Sequence, residues 1–148
     1  MKGVKMNRLF VPVLVAAVLM APSASVAAEG VPTSAAAFEG CWRIAADPDA
    51  TAERGGRQEF QEHLVIESGL VTPVELSKLG FEAAAATFAK DVNGNATWNV
   101  TLASSSQGTV TLSCTKTSST TISGTLVWER NGVVTRYAYT GKEYDPNS

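Results

Sequence analysis

The chain has 148 residues, 45% of them hydrophobic and 18% charged, with a formal net charge of −2. That is enough for one domain, too little for two ordinary cores, and too apolar for general disorder. No basic cluster is present, which argues against nucleic acid as a partner. Two Cys and one His exclude a four-ligand Cys/His zinc site and any relay that needs a second His.

Lys2, Lys5 and Arg8 form a positive start, and Leu9 to Met20 is an apolar run that breaks at Pro22 and Ser23. A spanning helix needs ~20 apolar residues, so this run has the length of a signal-peptide core instead. Small residues follow, and Val26-Ala27-Ala28 suits cleavage after Ala27 or Ala28. Residues 1–28 are therefore expected to be a signal peptide, the protein periplasmic or secreted, with no membrane span left after cleavage. Processing removes three of the twelve basic residues and none of the fourteen acidic ones, leaving nine against fourteen, a net −5. In an oxidising compartment the two thiols, Cys41 and Cys114, are candidates for a disulfide. Closing a loop of about 70 residues would contribute ~3–4 kcal/mol in the chain-entropy picture.

Residues 29–37 read as a flexible lead-in, 38–144 as a single β domain, and 145–148 as a disordered tail. Within the domain, short β-type runs alternate with turn residues at about 37–44, 58–66, 69–71, 83–91, 95–103, 108–116, 121–130 and 133–141. The polar stretch from Asp47 to Arg57 reads as a loop. In the first strand Phe38, Gly40 and Trp42 share a face, which turns Cys41 outward. In the second, Phe60, Leu64 and Ile66 mark the buried face, and His63 shares the other with Glu59, Gln61 and Glu67. His63 with Glu59 or Glu67 has the spacing to hold a divalent ion, but a solvated outer face explains the same residues. No catalytic constellation is readable, and no metal or cofactor is implied.

Thr72-Pro73-Val74-Glu75 is a capping-box pattern with Pro at the first helical position, and Gly80 suits a C-cap, so a short helix is predicted near 73–79. A competing reading carries that helix through Ala83–Ala86 to Lys90 on helix propensity alone. Against it stands the next hairpin. A three-residue loop Val92-Asn93-Gly94 pairs Phe88 with Trp98 and Ala86 with Val100, putting both aromatics on the buried face. Val110, Leu112 and Cys114 continue the inward set. The last hairpin turns at Asn131-Gly132, whose residues suit the positive φ of a type I′ turn. Its register pairs Trp128 with Thr135, Leu126 with Tyr137, Gly124 with Tyr139 and Ile122 with Gly141, all on one face. This leaves Cys41 outward and Cys114 inward, so the proposed disulfide requires a bulge in one of the two strands.

Phe38-Glu39-Gly40-Cys41-Trp42 contains Gly-x-Trp at the start of the first strand. With the meander of hairpins, this resembles the opening of lipocalins and related calycin barrels. The resemblance implies an all-β, antiparallel up-and-down barrel of about eight strands. In it Gly40 would allow close packing, Trp42 would plug the barrel floor, and Arg136 or Lys142 would be the basic residue near the barrel's end. A β-sandwich is the alternative architecture. Small exported inhibitors, avidin-like barrels and small secreted bacterial proteins share the same outline.

Trp42, Phe88, Trp98, Leu126, Trp128, Tyr137 and Tyr139 can line a ligand pocket or fill the barrel, since small barrels do either. Two non-enzymatic functions follow. One is an exported binding protein holding a small apolar or aromatic molecule in the barrel. The other is a solid barrel that acts through its loops as an inhibitor or as a module that binds another envelope protein. Export itself is checked by intact mass of the natural product. Loss of about 27 or 28 residues is expected, and a full-length, membrane-bound species would exclude it.

Overall fold

The structure, a computed structural model, describes residues 35–147. Its strands are β1 (Gly40–Pro48), β2 (Phe60–Glu67), β3 (Leu70–Pro73), β4 (Ala84–Ala85), β5 (Thr87–Lys90), β6 (Ala96–Ser104), β7 (Gly108–Lys116), β8 (Thr121–Arg130) and β9 (Val133–Tyr144). All lie in one antiparallel sheet in the order β4-β3-β2-β1-β9-β8-β7-β6-β5. Each strand pairs with its sequence neighbour, and β9 returns to pair with β1. The two ends of the sheet, β4 and β5, are separated by Ala86 alone. The result is a nearly closed up-and-down barrel, which leaves little edge for other chains to pair with. No second sheet exists among the described residues, so the sandwich is not adopted.

The ninth strand arises where one predicted strand, 83–91, divides. Ala86 leaves the ladder and donates its N–H to the Gly69 carbonyl at 2.9 Å instead of pairing with Val100. Ala84 and Ala85 above it pair with β3, whereas Thr87 to Lys90 below it pair with β6. One extended segment thus serves both sides of the seam, and the long helical reading of Ala83–Lys90 fails. Tertiary pairing outweighs the helix propensity of alanine here.

Both hairpins adopt the registers read from the sequence. Asn131 and Gly132 take φ of 54° and 81°, and Trp128, Leu126, Gly124 and Ile122 oppose Thr135, Tyr137, Tyr139 and Gly141. Phe88 opposes Trp98 across the loop that follows Asp91, whose carboxylate accepts the N–H groups of Asn93 and Asn95 at 2.9 Å. The inward faces of all the long strands meet in a continuous core that includes Trp42, Ile44, Leu64, Ile66, Trp98, Leu102, Leu112, Ile122 and Leu126, each at most 1% exposed.

Gly124 is required by a close approach. A Cβ there would stand 1.8 Å from the Ser113 carbonyl oxygen and 2.7 Å from the Tyr139 hydroxyl, which itself donates to Ser113 O at 2.6 Å. Gly40 has a different reason from the one its motif implies. Its φ of 122° favours glycine, while an added Cβ would meet nothing nearer than a Glu143 oxygen at 3.6 Å.

The lower end, where β1 begins, is plugged by the residues before it. Phe38 turns inward with no exposed surface and packs against Trp42, Phe88 and Trp98. Lys116 donates to the Ala37 carbonyl and holds its ammonium 5.4 Å from the Trp42 ring and 5.7 Å from Phe38. The basic residue against the floor Trp is therefore Lys116. Arg136 and Lys142 are exposed on the outer wall. The first strand also begins later than predicted, because Phe38 closes a turn onto the Ala35 carbonyl. The expected signal peptide and most of the lead-in lie outside the described residues.

Two local expectations are corrected. The helix near 73–79 is a single 3-10 turn, Leu76–Leu79, because Pro73 remains in β3; Gly80 does end it in a left-handed conformation. Cys41 and Cys114 are free. Residues Gly40 to Ala46 and Thr97 to Ser104 pair one-for-one with their partners, so no bulge rotates either thiol. Cys41 stays on the outer wall and Cys114 inside, opposite Trp98 and Gly124. Burial pushes the Cys114 thiol up to about 12, against weaker opposing pulls from the Tyr139 hydroxyl and Lys116.

Substituting Gly124→Ala is expected to cost about 3 kcal/mol, the upper part of the overpacking range, because backbone rather than a flexible side chain must yield. Thr125→Ala on the outer face should cost well under about 1 kcal/mol. Urea denaturation of both variants checks the contrast, and equal losses would contradict the β7–β8–β9 packing.

Candidate functional site

The upper end of the barrel is built differently from the floor. Here the side chains at the tops of β8 and β9 meet three loop segments around a hollow of about 240 Å³, lined by Arg57, Leu79, Gln107, Trp128, Arg130, Val133, Thr135 and Tyr137. The strand residues arrive there by alternation: Trp128 and Arg130 share the inward face of β8, and Thr135 and Tyr137 that of β9. Trp128 is half-buried, with its ring edge-on to Phe81 at 5.5 Å, and its Nε1 donates to the Gln107 carbonyl at 2.7 Å. Tyr137 packs edge-on to Phe60 at 5.1 Å. Burial pushes its phenol pKa up, while the positive charge of Arg57 pulls it back.

The loops are fixed by hydrogen bonds to the strands and to one another. The predicted loop 47–57 contains a one-turn helix, α1 (Ala50–Arg54), because Asp49 caps it by accepting from Ala52 N at 2.8 Å. Asp49 N also donates to the Arg136 carbonyl on β9, and Arg57 N to Ala52 O, which sets where the Arg57 side chain begins. Ser104 Oγ donates to the Leu79 carbonyl at 2.9 Å and accepts from Gln107 N at 3.1 Å, tying the β6–β7 loop to the 3-10 turn.

That turn is held by Glu62, a carboxylate with no exposed surface on the inward face of β2. Its oxygens accept from the N–H groups of His63 and Glu75 at 2.6 Å and of Leu76 at 2.7 Å. Glu62 therefore supplies the cap that the sequence assigns to Thr72. Burial raises its pKa, and the three N–H donors oppose the rise.

The seven aromatic and apolar residues expected to share a pocket do not come together. Trp42 and Trp98 are buried near the floor, with Phe88 half-buried beside Phe38. Leu126 and Tyr139 are buried in the middle of the barrel. Only Trp128 and Tyr137 of that set line the hollow at the mouth. Arg57, Arg130, Gln107 and Leu79, which also line it, lie outside that set. For Arg130 the signal was present, since the Asn131-Gly132 register puts it on the same face as Trp128. Glu62 was equally legible, two residues from both Phe60 and Leu64 on the buried face. Arg57 sits in a loop and has no periodicity to betray it.

On the outer wall, Arg43 Nε donates to His63 Nε2 at 3.4 Å, and His63 Nδ1 stands 4.0 Å from a Glu75 oxygen, with Tyr144 packed against both the imidazole and the guanidinium. His63 is thereby engaged with Arg43 and Glu75 rather than with Glu59 or Glu67. Among the described residues no group of three His, Cys, Asp or Glu side chains could hold a metal ion. An open furrow of about 510 Å³ crosses β1, β9 and β8 beside Arg43. Its lining combines outer-wall Gln61, Ser123, Thr140 and Lys142 with Ile44, Ala45, Ile122 and Gly141, and Arg43 is already engaged with His63 and Tyr144.

Compared with known protein families and with curated proteins, the sequence gives no match. Among the described residues no helix is long and apolar enough to cross a membrane.

The raised pKa of Glu62 has a definite sign in the stability profile. A carboxyl whose folded pKa exceeds its ordinary 4.5 contributes stability that is complete below that value and is lost as pH rises through the folded pKa. The stability of the native protein relative to Glu62→Gln should thus fall as pH rises from about 4.5 and level off above the folded pKa. Urea midpoints of the two proteins between pH 4 and 8 check this, and a difference that grows with pH would mean that the three N–H donors outweigh burial.

Proposed function

We propose that this chain is an exported, non-enzymatic binding protein whose barrel is a rigid frame and whose mouth receives a small aromatic or apolar group. The observation that carries the reading is the contrast between the two ends. Phe38 and Lys116 close the floor, whereas Trp128 and Tyr137 border an open hollow. A ring entering there would meet the face or edge of both aromatics and the aliphatic rim of Leu79 and Val133. At about 240 Å³ the hollow falls below the ~300–1,000 Å³ of drug-sized sites, so one ring is a better match than a long lipid chain.

A second reading, that the barrel works through its loops as an inhibitor or envelope-protein binder, is favoured by the packed interior. The loops around Arg57, Leu79 and Gln107 would then grip a partner's side chain in the same hollow. Both readings use the mouth.

The test is the indole Nε1 resonance of Trp128, read by NMR during titration with single-ring aromatic compounds. A saturable shift of Trp128, with Trp42 and Trp98 unmoved, is expected, and Trp128→Ala should abolish binding of the same compounds. No response at Trp128 to any ring compound, neutral or charged, would overturn binding at the mouth.

A further inference from the structure

We infer that the mouth is an anion site, and that its occupant is an aromatic carboxylate whose ring lies against Trp128 while the acid faces Arg57 and Arg130. The inference rests on the binding role proposed for the mouth and deepens it.

Two cations line the hollow and no acidic residue does. In a chain with more acidic than basic residues, that local excess stands out. Among the described residues neither guanidinium has a hydrogen bond or an ion pair; the ion pairs formed are His63–Glu75 and Lys78–Glu75, on the outer wall and the 3-10 turn. Glu129 lies on the outer face of β8; Arg57 also borders an adjoining depression with Asp47, Glu53 and Glu59, but among the described residues none of these carboxylates forms an ion pair with it.

The second observation is independent of charge. Thr135 is 7% exposed and Tyr137 5%, both line the hollow, and neither hydroxyl has a hydrogen-bond partner among the described residues. The fully buried polar atom left without a partner is Trp98 Nε1, not either of these hydroxyls, so both reach the space of the hollow. Both residues are otherwise enclosed, so these two hydroxyls, with two guanidinium groups, present donors to one small space beside an aromatic wall.

A group that satisfies such a set must be rich in acceptors and negatively charged. A carboxylate fits, since guanidinium binds it with paired N–H donors and hydroxyls can complete its remaining lone pairs. The ring requirement comes from Trp128. The same chemistry is offered by a free aromatic acid and by the C-terminal Phe of a peptide, and the two sources are separated by experiment.

The closing measurement compares 3-phenylpropionate with 3-phenylpropionamide on the full exported protein, read by calorimetry and by the Trp128 resonance. The acid should bind at least about tenfold more tightly than the amide, the scale of one hydrogen bond to a charged group. The advantage should shrink in 1 M salt and largely vanish in the Arg57→Gln/Arg130→Gln variant. Those positions are exposed, and an unchanged urea midpoint confirms that the variant is folded. Tyr137→Phe and Thr135→Val should each weaken the acid more than the amide, because hydrogen bonds to a charged acceptor are the stronger ones. Equal binding of acid and amide overturns the anion site while leaving a ring-binding mouth; failure of both overturns the mouth itself. A short peptide ending in Phe with a free carboxylate, set against its C-terminal amide, assigns the source. Tighter binding of the free-carboxylate peptide than of 3-phenylpropionate supports the anion site with a protein partner, and weaker binding supports it with a small acid.

Discussion

The pairing of β9 on both of its sides is the constraint from which the rest of the barrel follows. Its twelve residues run the height of the sheet, joining β8 on one side and β1 on the other. Thr135, Tyr137, Tyr139 and Gly141 all face inward along this one strand. A slip of one residue would exchange them for Arg136, Ala138 and Thr140 and destroy the core. Gly141 shows how little slack remains, since a Cβ there would come within 2.6 Å of Ile44 and 3.0 Å of Ile122. The mouth inherits its geometry from the same register, because Trp128 and Arg130 can meet Thr135 and Tyr137 only in this pairing.

Each end of the barrel is fastened by a charged side chain rather than by a packed helix. At the floor, Lys116 reaches the backbone before β1 and lies over two aromatic rings. At the top, Glu62 gathers the backbone N–H groups that begin the 3-10 turn. Burying a charge is unfavourable unless the lost hydration is replaced; half-buried Lys116 replaces it with a carbonyl and two ring faces, and Glu62 does so in part, with three backbone N–H donors. These two contacts let both ends close using short irregular segments.

What could be read in the sequence was the part governed by period-two alternation and turn chemistry. Asn131-Gly132 and the loop after Asp91 set two registers, and nearly every inward residue of β6 to β9 follows from them. The boundary at Ala86 was hidden because a run of alanines carries no face of its own and its division depends on what lies on either side. Thr72 failed as a cap because Pro73 was needed in β3, a requirement set by strand pairing with Leu64. The lining of the mouth escapes the sequence pattern for a related reason. Alternation says which residues point inward but not at what height they sit, so it grouped floor, middle and mouth aromatics into one set. Arg57 became visible only once α1 and its cap at Asp49 had positioned the loop.

The seam at Ala86 gives the barrel a mechanical asymmetry. Most of the sheet is joined by long ladders, but β4 contributes two residues and β3 four. Fewer cross-strand bonds must break there than along any of the ladders from β6 round to β1. Transient separation of the wall therefore costs least along this line, and backbone amides of 84–90 should exchange with solvent through local opening rather than through unfolding of the whole. The barrel thus behaves as a split ring, stiff around most of its circumference and compliant at one place.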